Sequence, residues 1–175
     1  FVTRLNDPLT LASGQILGEN YYFFQNGNGH INVQGLETNV RLNLPHFHIF
    51  WGYSFIDTKR AYNQLNNEIP LTARHKLYNV VMYEIEDELR VGLEAYYVGS
   101  QRLNTGLATR SHWTCGFMVE KKWEHFSIYI NFENFLDARQ SRWQAMFSGT
   151  VQQPKFVTDI YAPTDGRIIN GGIKI

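Results

Sequence analysis

A pair of histidines and a short acidic run are the side chains of this sequence whose types and spacing suit a metal ion. His46 and His48 stand two positions apart, so both imidazoles would face the same side of an extended strand. No third ligand lies near them in the sequence, and polar residues in a short turn are the simpler interpretation. The acidic run from Glu84 to Glu88 offers oxygen ligands suited to calcium but is typical of a solvated turn. We therefore assign no metal-binding residue.

Catalytic chemistry has little support in the sequence. Cys115 is the one cysteine, which excludes an internal disulfide and a cysteine-based zinc cluster. It falls on an apolar strand face, where an inert packed thiol is typical. Gly27-Asn28-Gly29 lacks the strand, loop and helix context of a phosphate-binding loop. We expect no enzyme activity and no cofactor, and we assign no catalytic or cofactor-binding residue.

Length and composition indicate a single domain without strong net charge. The chain has 175 residues, with 16 basic and 16 acidic side chains. This length suits one domain, and the balanced charge argues against a nucleic-acid partner. No run of about 18 apolar residues is present, which excludes helical membrane spans and leaves tilted β-strands open. Aromatic residues make up 15% of the chain although its mean hydropathy is -0.33, so apolar residues are abundant but dispersed.

Apolar residues recur at every second position along most of the chain, which is the period of a β-strand. Leu89, Val91 and Leu93 would share one face, while Arg90 and Glu94 would lie on the other. Such patterns predict strands at 1–11, 35–44, 49–58, 77–86, 89–100, 112–123, 125–134 and 167–175. The connections are alternately short (45–46, 86–88, 124–125) and long (roughly 10–29, 59–70, 102–110, 139–165). Alternating lengths place short turns at one rim and long loops at the other rim of an antiparallel up-and-down sheet.

The two faces of these strands favour a transmembrane barrel over a soluble barrel or sandwich, although both give alternating patterns. One face carries charged and amide side chains suited to a hydrated interior: Glu37, Asn39, Arg41, Asn43, Arg90, Glu94, Glu120, Lys122, Asn131 and Glu133. Aromatic residues cluster near strand ends, as in membrane-interface girdles: Tyr21 to Phe24, Tyr96, Tyr97, Trp113, Trp123, Phe135 and Trp143. Outer-membrane barrels also have short turns at one rim and long loops at the other.

Several strings in this order resemble a known family. They are Gly35-Leu36-Glu37, Trp51-Gly52-Tyr53-Ser54, the segment 70–77, Asn131-Phe132-Glu133-Asn134-Phe135-Leu136-Asp137 and the segment 161–167 before the last strand. Together they resemble the C-terminal part of the β-barrel of TonB-dependent outer-membrane receptors, particularly the Bacteroidetes-type sequences. The resemblance covers nearly the whole chain. The sequence differs from the usual outer-membrane barrel at Ile175, because such barrels usually end on an aromatic residue.

The resemblance implies a fold, a location and a function. Residues 1–175 would be the C-terminal strands of a barrel of about 22 strands in the bacterial outer membrane. The plug domain and the energy-coupling segment, N-terminal in the family, would lie outside this chain, and Phe1 begins inside an alternating pattern, so we expect a fragment. The whole receptor would bind a scarce nutrient, such as an iron chelate, cobalamin or a glycan, and import it with energy from the inner-membrane TonB complex. The implied partners are outer-membrane lipid and lipopolysaccharide, the plug and remaining barrel, periplasmic TonB and the extracellular ligand.

Basic side chains in the long connections are the candidates for ligand binding. Arg74 and His75 lie between the connection 59–70 and the following strand, and Arg102 and Arg110 belong to the connection 102–110. Cations at an entrance attract anionic ligands such as a metal chelate. Loop solubility and binding to lipopolysaccharide phosphates are the alternatives. We predict ligand-binding roles for Arg74, His75, Arg102 and Arg110.

A second hypothesis is a self-contained barrel of about eight strands, because this length also suits a small closed sheet. Such a protein would be a small outer-membrane barrel or a lipocalin-like binding protein. A lipocalin usually carries a Gly-x-Trp string near its start and a disulfide, and this sequence has neither.

Overall fold

The computed structural model describes residues 1–63, 66–157 and 159–175, and these residues form mostly antiparallel β-strands. Gln64, Leu65 and Thr158, which belong to two of the predicted long connections, lie outside the described residues. The strands are β1 (Val2–Asn6), β2 (Leu9–Ile16), β3 (Glu19–Asn26), β4 (His30–Asn43), β5 (Phe47–Arg60), β6 (His75–Ile85), β7 (Leu89–Val98), β8 (His112–Lys122), β9 (Ser127–Glu133), β10 (Phe147–Gly149), β11 (Pro154–Phe156) and β12 (Ile168–Lys174). A short 3-10 helix spans Gln140–Arg142. Among the described residues, no helix combines the length and hydropathy needed to cross a membrane.

The main sheet has eight strands in the order β1-β4-β5-β6-β7-β8-β9-β12, and each neighbouring pair is antiparallel. These are the eight strands predicted from the alternation, so the all-β antiparallel fold is confirmed. The segments 44–46, 86–88 and 123–126 connect them at one end, called here the short-turn rim. The segments 7–29, 61–74, 99–111 and 134–167 connect them at the other end, called here the long-loop rim.

The strand register separates an apolar face from a polar face. Val81 pairs with Leu93, which pairs with Phe117, and directly opposed residues share a face of the sheet. Leu93 is 48% exposed and Phe117 is 41% exposed, so this outward face is not packed against a second layer. A soluble sandwich would bury its apolar face. Among the described residues, the buried hydrophobic side chains are only Ala73, Leu103, Ala138 and Ala162.

The polar face has the composition predicted for an interior surface. Glu94 of β7 pairs with Val80 and Gly116, and Asn131 of β9 pairs with Met118 and Asn170. The register places all the predicted interior residues on this one face, called here the inner face: Glu37, Asn39, Arg41, Asn43, Arg90, Glu94, Glu120, Lys122, Asn131 and Glu133.

The sheet is open. β1 and β12 are its two edges, and within the described residues they make no contact with each other. A closed barrel would pair its first and last strands. The self-contained closed barrel of the second hypothesis is therefore not the architecture observed.

Two hairpins interrupt segments that were predicted to be loops. The predicted strand 1–11 is broken at Asp7, whose φ of 47° is left-handed, and at Pro8. The chain then forms the β2–β3 hairpin, whose turn at Leu17 and Gly18 has φ values of 52° and 88°. The β10–β11 hairpin lies in the predicted connection 139–165. Tyr21 to Phe24 belong to β3, outside the main sheet, so the prediction that they lie at the end of a membrane strand was wrong.

Other aromatic pairs lie at the two ends of the outward face. Tyr97 and Trp113, with ring centroids 5.1 Å apart, lie toward the long-loop rim. Trp123 and Phe126, 4.8 Å apart, lie at the short-turn rim. β8, which runs between these pairs, has 11 residues. At about 3.4 Å per residue and a tilt of about 40°, it rises about 25–30 Å along a barrel axis, which matches the apolar band of outer-membrane barrels.

Ionic contacts join four strands across the inner face near the short-turn rim. Arg90 Nη2 of β7 lies 2.6 Å from Glu84 Oε1 of β6, and Arg90 Nη1 lies 3.7 Å from Glu120 Oε2 of β8. Glu120 Oε1 also accepts hydrogen bonds from Lys174 Nζ of β12 at 2.9 Å and from Ser127 Oγ at 3.0 Å. We call Glu84, Arg90, Glu120 and Lys174 the inner ion ladder. Glu120, only 4% exposed, lies at its centre.

Replacing Glu120 with glutamine should destabilise the sheet, because Lys174 and Arg90 lose the carboxylate between them while the side-chain volume is kept. We expect Glu120→Gln to lower the free energy of unfolding by about 1–3 kcal/mol. Urea titration followed by tryptophan fluorescence measures this change. Glu124→Gln is the matched control, because Glu124 is exposed in the turn before β9. Equal unfolding midpoints for the two variants would contradict a stabilising role of the ladder.

Candidate ligand-binding site

Two of the long connections are tied together at the long-loop rim by Glu68. Its carboxylate accepts hydrogen bonds from Arg74 Nη2 at 2.9 Å and from Arg102 Nε at 3.2 Å. The backbone N–H of Leu71 also donates to the carbonyl of Arg102 at 2.8 Å. The segments 61–74 and 99–111 therefore form one joined surface.

The arginines predicted to attract an anion are thus partly neutralised. Arg74 Nη2 lies 3.0 Å from Asp57 Oδ1 as well as contacting Glu68. Lys59 Nζ lies 3.9 Å from the other Asp57 oxygen. The Arg74 and Arg102 side chains remain 47% and 45% exposed, and a guanidinium has five N–H groups. The carboxylates therefore fix the positions of both guanidinium groups without enclosing them.

His75 lies beside this cluster. Its Nδ1 is 2.8 Å from the Tyr53 hydroxyl, and the two rings are stacked with centroids 6.1 Å apart. Arg74, His75 and Arg102 line a cleft of about 400 Å³ together with Glu68 and Tyr97, among others. We call it the Arg74 cleft. The structure thus brings together three of the four residues predicted for ligand binding.

Arg110, the fourth predicted residue, lies in a different cleft. Its guanidinium carbon is 5.4 Å from the centroid of the Trp143 ring. This second cleft, of about 530 Å³, is also lined by Trp113, Asp137 and Arg142. Among the described residues no ion pair involves Arg110, in contrast to Arg74 and Arg102.

The longest connection, 134–167, is organised around a buried glutamine. Gln140 is 0% exposed, and its Nε2 donates to the carbonyl of Asp159 at 2.9 Å while its Oε1 accepts from the Tyr161 N–H at 2.9 Å. The Asp159 carboxylate accepts two bonds from Asn104, 2.8 Å from its backbone N and 2.6 Å from its Nδ2. These contacts fasten the connection 134–167 to the connection 99–111. The sequence analysis missed them, because nothing near Gln140 in sequence identifies its distant partners.

The residues considered for metal binding are engaged elsewhere. His46 Nδ1 is 3.2 Å from the carbonyl oxygen of Glu84, and His48 Nδ1 is 3.2 Å from Asn43 Oδ1. In the acidic run, the Glu84 carboxylate belongs to the inner ion ladder, and Asp87 lies 3.9 Å from Lys122 in an exposed turn. Across the described residues, no group of three or more His, Cys, Asp or Glu side chains is placed to hold a metal ion.

Comparisons with known proteins identify the fold. No family model matches the sequence, and no curated protein matches it either. Among solved structures, the chain is similar to the ferric-catecholate import receptor Fiu from E. coli K12 in its closed form, with a TM-score of 0.58 and 19% sequence identity. The chain has the fold of a segment of an antiparallel β-barrel. The match covers 78% of this chain and 20% of the Fiu chain, so this chain spans about a fifth of the structure it matches.

Replacing Gln140 with alanine should loosen the long-loop rim, because the Asp159 carbonyl and the Tyr161 N–H would lose their buried partner. Each lost partner costs about 1–3 kcal/mol, so local opening should become at least about tenfold more frequent. Limited proteolysis of the segment 139–165 reports this opening. Gln153→Ala is the control, because Gln153 is exposed in the β10–β11 turn. Cleavage at the same rate in both variants would show that Gln140 does not hold the connection.

Proposed function

We propose that this chain is part of the barrel of a receptor in the bacterial outer membrane that binds a scarce extracellular nutrient and imports it. The observation that carries the proposal is an outward face of exposed apolar side chains on a sheet similar to part of an import receptor. Apolar side chains facing lipid and polar side chains facing the interior are the requirement for a strand that crosses a bilayer. The function is transport and not catalysis.

The long-loop rim is the side on which the ligand arrives, because long loops face the cell exterior in outer-membrane barrels. The Arg74 cleft lies at this rim and presents two fixed guanidinium groups beside His75 and Tyr97. Planar guanidinium groups bind carboxylate and phenolate oxygens with directed hydrogen bonds. Among an iron chelate, cobalamin and a glycan, this chemistry favours an anionic iron chelate. The Fiu receptor is named for ferric catecholate, a ligand of this class.

The inner face and the short-turn rim indicate the other partners of the proposed receptor. Charges of both signs on the inner face suit contacts with a polar plug domain in the barrel interior. Energy would come from the TonB complex acting through the plug, at the periplasmic side where the short turns lie. Import therefore requires parts of the receptor beyond this chain.

A fluorophore on the native Cys115 should report contact with lipid. The register places Cys115 on the outward face opposite Ala95, whereas Thr114 lies on the inner face opposite Tyr96. After labelling in urea and refolding into vesicles, we expect nitroxide-bearing lipids to quench the Cys115 label and aqueous iodide to quench it weakly. The matched probe is Thr114→Cys in a Cys115→Ser background, for which we expect the opposite pattern. Quenching of the Cys115 label mainly by iodide, or a stable monomer without detergent, would contradict the membrane assignment.

Binding of an anionic iron chelate should depend on the Arg74 cleft. The probe is the ferric complex of 2,3-dihydroxybenzoate, with cyanocobalamin and a maltooligosaccharide as the competing classes, and tryptophan quenching in detergent as the readout. We expect Arg102→Gln to weaken chelate binding about tenfold, the effect of one lost charge-assisted contact. Arg4→Gln removes the same charge from exposed Arg4 in β1 and should have little effect. Binding of cobalamin or oligosaccharide in place of the chelate would replace the proposed ligand class, and binding of none would contradict the receptor role of this rim.

A further inference from the structure

The sequence contains three Asn-Gly dipeptides, at Asn26-Gly27, Asn28-Gly29 and Asn170-Gly171. In such a dipeptide the backbone nitrogen of the glycine can attack the side-chain amide carbon of the asparagine, because glycine has no Cβ to hinder the approach. The attack expels ammonia and closes a succinimide ring. Water then opens the ring and leaves aspartate or isoaspartate in place of asparagine. The three dipeptides share this chemistry, so the structure around each one decides whether it reacts.

Asn26 is protected through the nitrogen that would have to attack it. The Gly27 N–H donates a 2.7 Å hydrogen bond to the carbonyl of Pro8, and Gly27 is buried. Asn26 itself is the last residue of β3 and pairs with Leu9 of β2. Reaction at Asn26 would break the Gly27 hydrogen bond and unpair this end of the hairpin, so it requires local opening of the chain.

Asn170 is protected through its own side chain. Its Oδ1 accepts a hydrogen bond from Asn131 Nδ2 at 2.9 Å, and its Nδ2 donates to Glu133 Oε1 at 3.1 Å, so both ends of the amide are held. Asn170 and Gly171 also lie within β12, where they pair with β9. Ring closure requires a rotation about the Cα–C bond that the extended backbone of a paired strand does not allow.

Asn28 has neither kind of protection. It is exposed and lies between the end of β3 and the start of β4. Among the described residues, its side chain makes no hydrogen bond, and the Gly29 N–H has no hydrogen-bond partner. Gly29 has a φ of 143°, and a Cβ added to it would lie 3.4 Å from Tyr62 Cβ. This conformation favours glycine, so the fold keeps a reactive neighbour after Asn28.

We propose that Asn28 deamidates spontaneously in the folded chain, with water as the only other reactant. The Gly29 nitrogen loses its proton and bonds to Asn28 Cγ, while the bond from Cγ to Nδ2 breaks and ammonia leaves. Addition of water at the Cγ carbonyl then gives aspartate. Addition at the backbone carbonyl gives isoaspartate, in which the main chain runs through the former side chain. This inference does not depend on the proposed receptor function.

Asn28 lies at the base of the β2–β3 hairpin, where a change in the main chain alters the structure. Two backbone hydrogen bonds close this base on either side of Asn28. They run from the Gly27 N–H to the Pro8 carbonyl and from the Asp7 N–H to the Gly29 carbonyl, and both are 2.7 Å long. Isoaspartate inserts a methylene into the main chain between these two bonds. They cannot then both keep their spacing, so the isoaspartyl form loosens the hairpin at the long-loop rim.

Peptide mapping by tandem mass spectrometry tests the site of the reaction. The refolded chain is incubated in detergent at mildly alkaline pH, and circular dichroism establishes that it stays folded. We expect Asn28 to deamidate at least about tenfold faster than Asn26 or Asn170, because each of those must first lose hydrogen bonds. In urea the three rates should agree within about threefold, because unfolding removes the protection. Equal rates in the folded chain, or the same preference for Asn28 in urea, would overturn the proposal.

Chymotrypsin cleavage of the hairpin tests the consequence. Tyr21 to Phe24 supply cleavage sites in β3, and cleavage there should become at least about threefold faster after incubation. Asn28→Gln should show no such change, because glutamine closes the corresponding larger ring much more slowly. Asn28→Asp adds the charge without the methylene, so before incubation it should be cleaved at the native rate. An equal increase in Asn28→Gln, no increase in the native chain, or fast cleavage of fresh Asn28→Asp would show that isoaspartate does not open the hairpin.

Discussion

The structure depends on one constraint, which is that the cross-strand register keeps every apolar face on the same side of a single sheet. Side chains alternate along a strand, so a slip of one residue between two strands would move a whole set of side chains to the wrong face. The pairing of Leu36 with Phe55 and of Leu93 with Phe117 maintains the outward face. On the other face, Arg90 can reach both Glu84 and Glu120 only in this same register. Apolar and ionic contacts therefore specify one alignment from opposite sides of the sheet.

Polar contacts join the connections of the long-loop rim, whereas the main sheet depends on the alternation of apolar and polar side chains. The buried hydrophobic side chains found among the described residues lie in these connections, which are also joined by hydrogen bonds between distant segments. Gln140 fixes the path of the chain around Asp159 and Tyr161, and Glu68 joins two connections through their arginines. Asp57 and Glu68 fix Arg74 and Arg102, whereas Arg110, which has no acidic partner among the described residues, lies over the Trp143 ring. The difference between the two clefts follows from the placement of a few carboxylates.

The period-two pattern of apolar residues was sufficient to predict the main sheet, but it did not predict the structure of the long-loop rim. Most of the eight strands could be predicted from their own alternation of period two, whereas the strand 77–86 is apolar on both faces and was predicted without its orientation. The β2–β3 hairpin was missed because its turn puts Leu17 at a φ of 52°, a left-handed conformation that leucine rarely adopts. Arg74, His75 and Arg102 could be predicted as neighbours in long loops. Their neutralisation by Glu68 and Asp57, and the separation of Arg110 from them, depend on how the loops pack, which residue spacing does not encode.

An unpaired edge of the main sheet bears on whether the sheet can lie in a membrane. β1 pairs with residues 30–34 of β4, so residues 36–43 of β4 have no strand beside them on that side within the described residues. In water such backbone groups form hydrogen bonds with solvent. In hydrocarbon, each group without a hydrogen-bond partner would cost on the order of several kcal/mol. Leu36, Val40 and Leu42 lie on the outward face of this segment, at the depth proposed for lipid. In a membrane, this edge of β4 therefore requires a further strand to pair with, whichever chain supplies it.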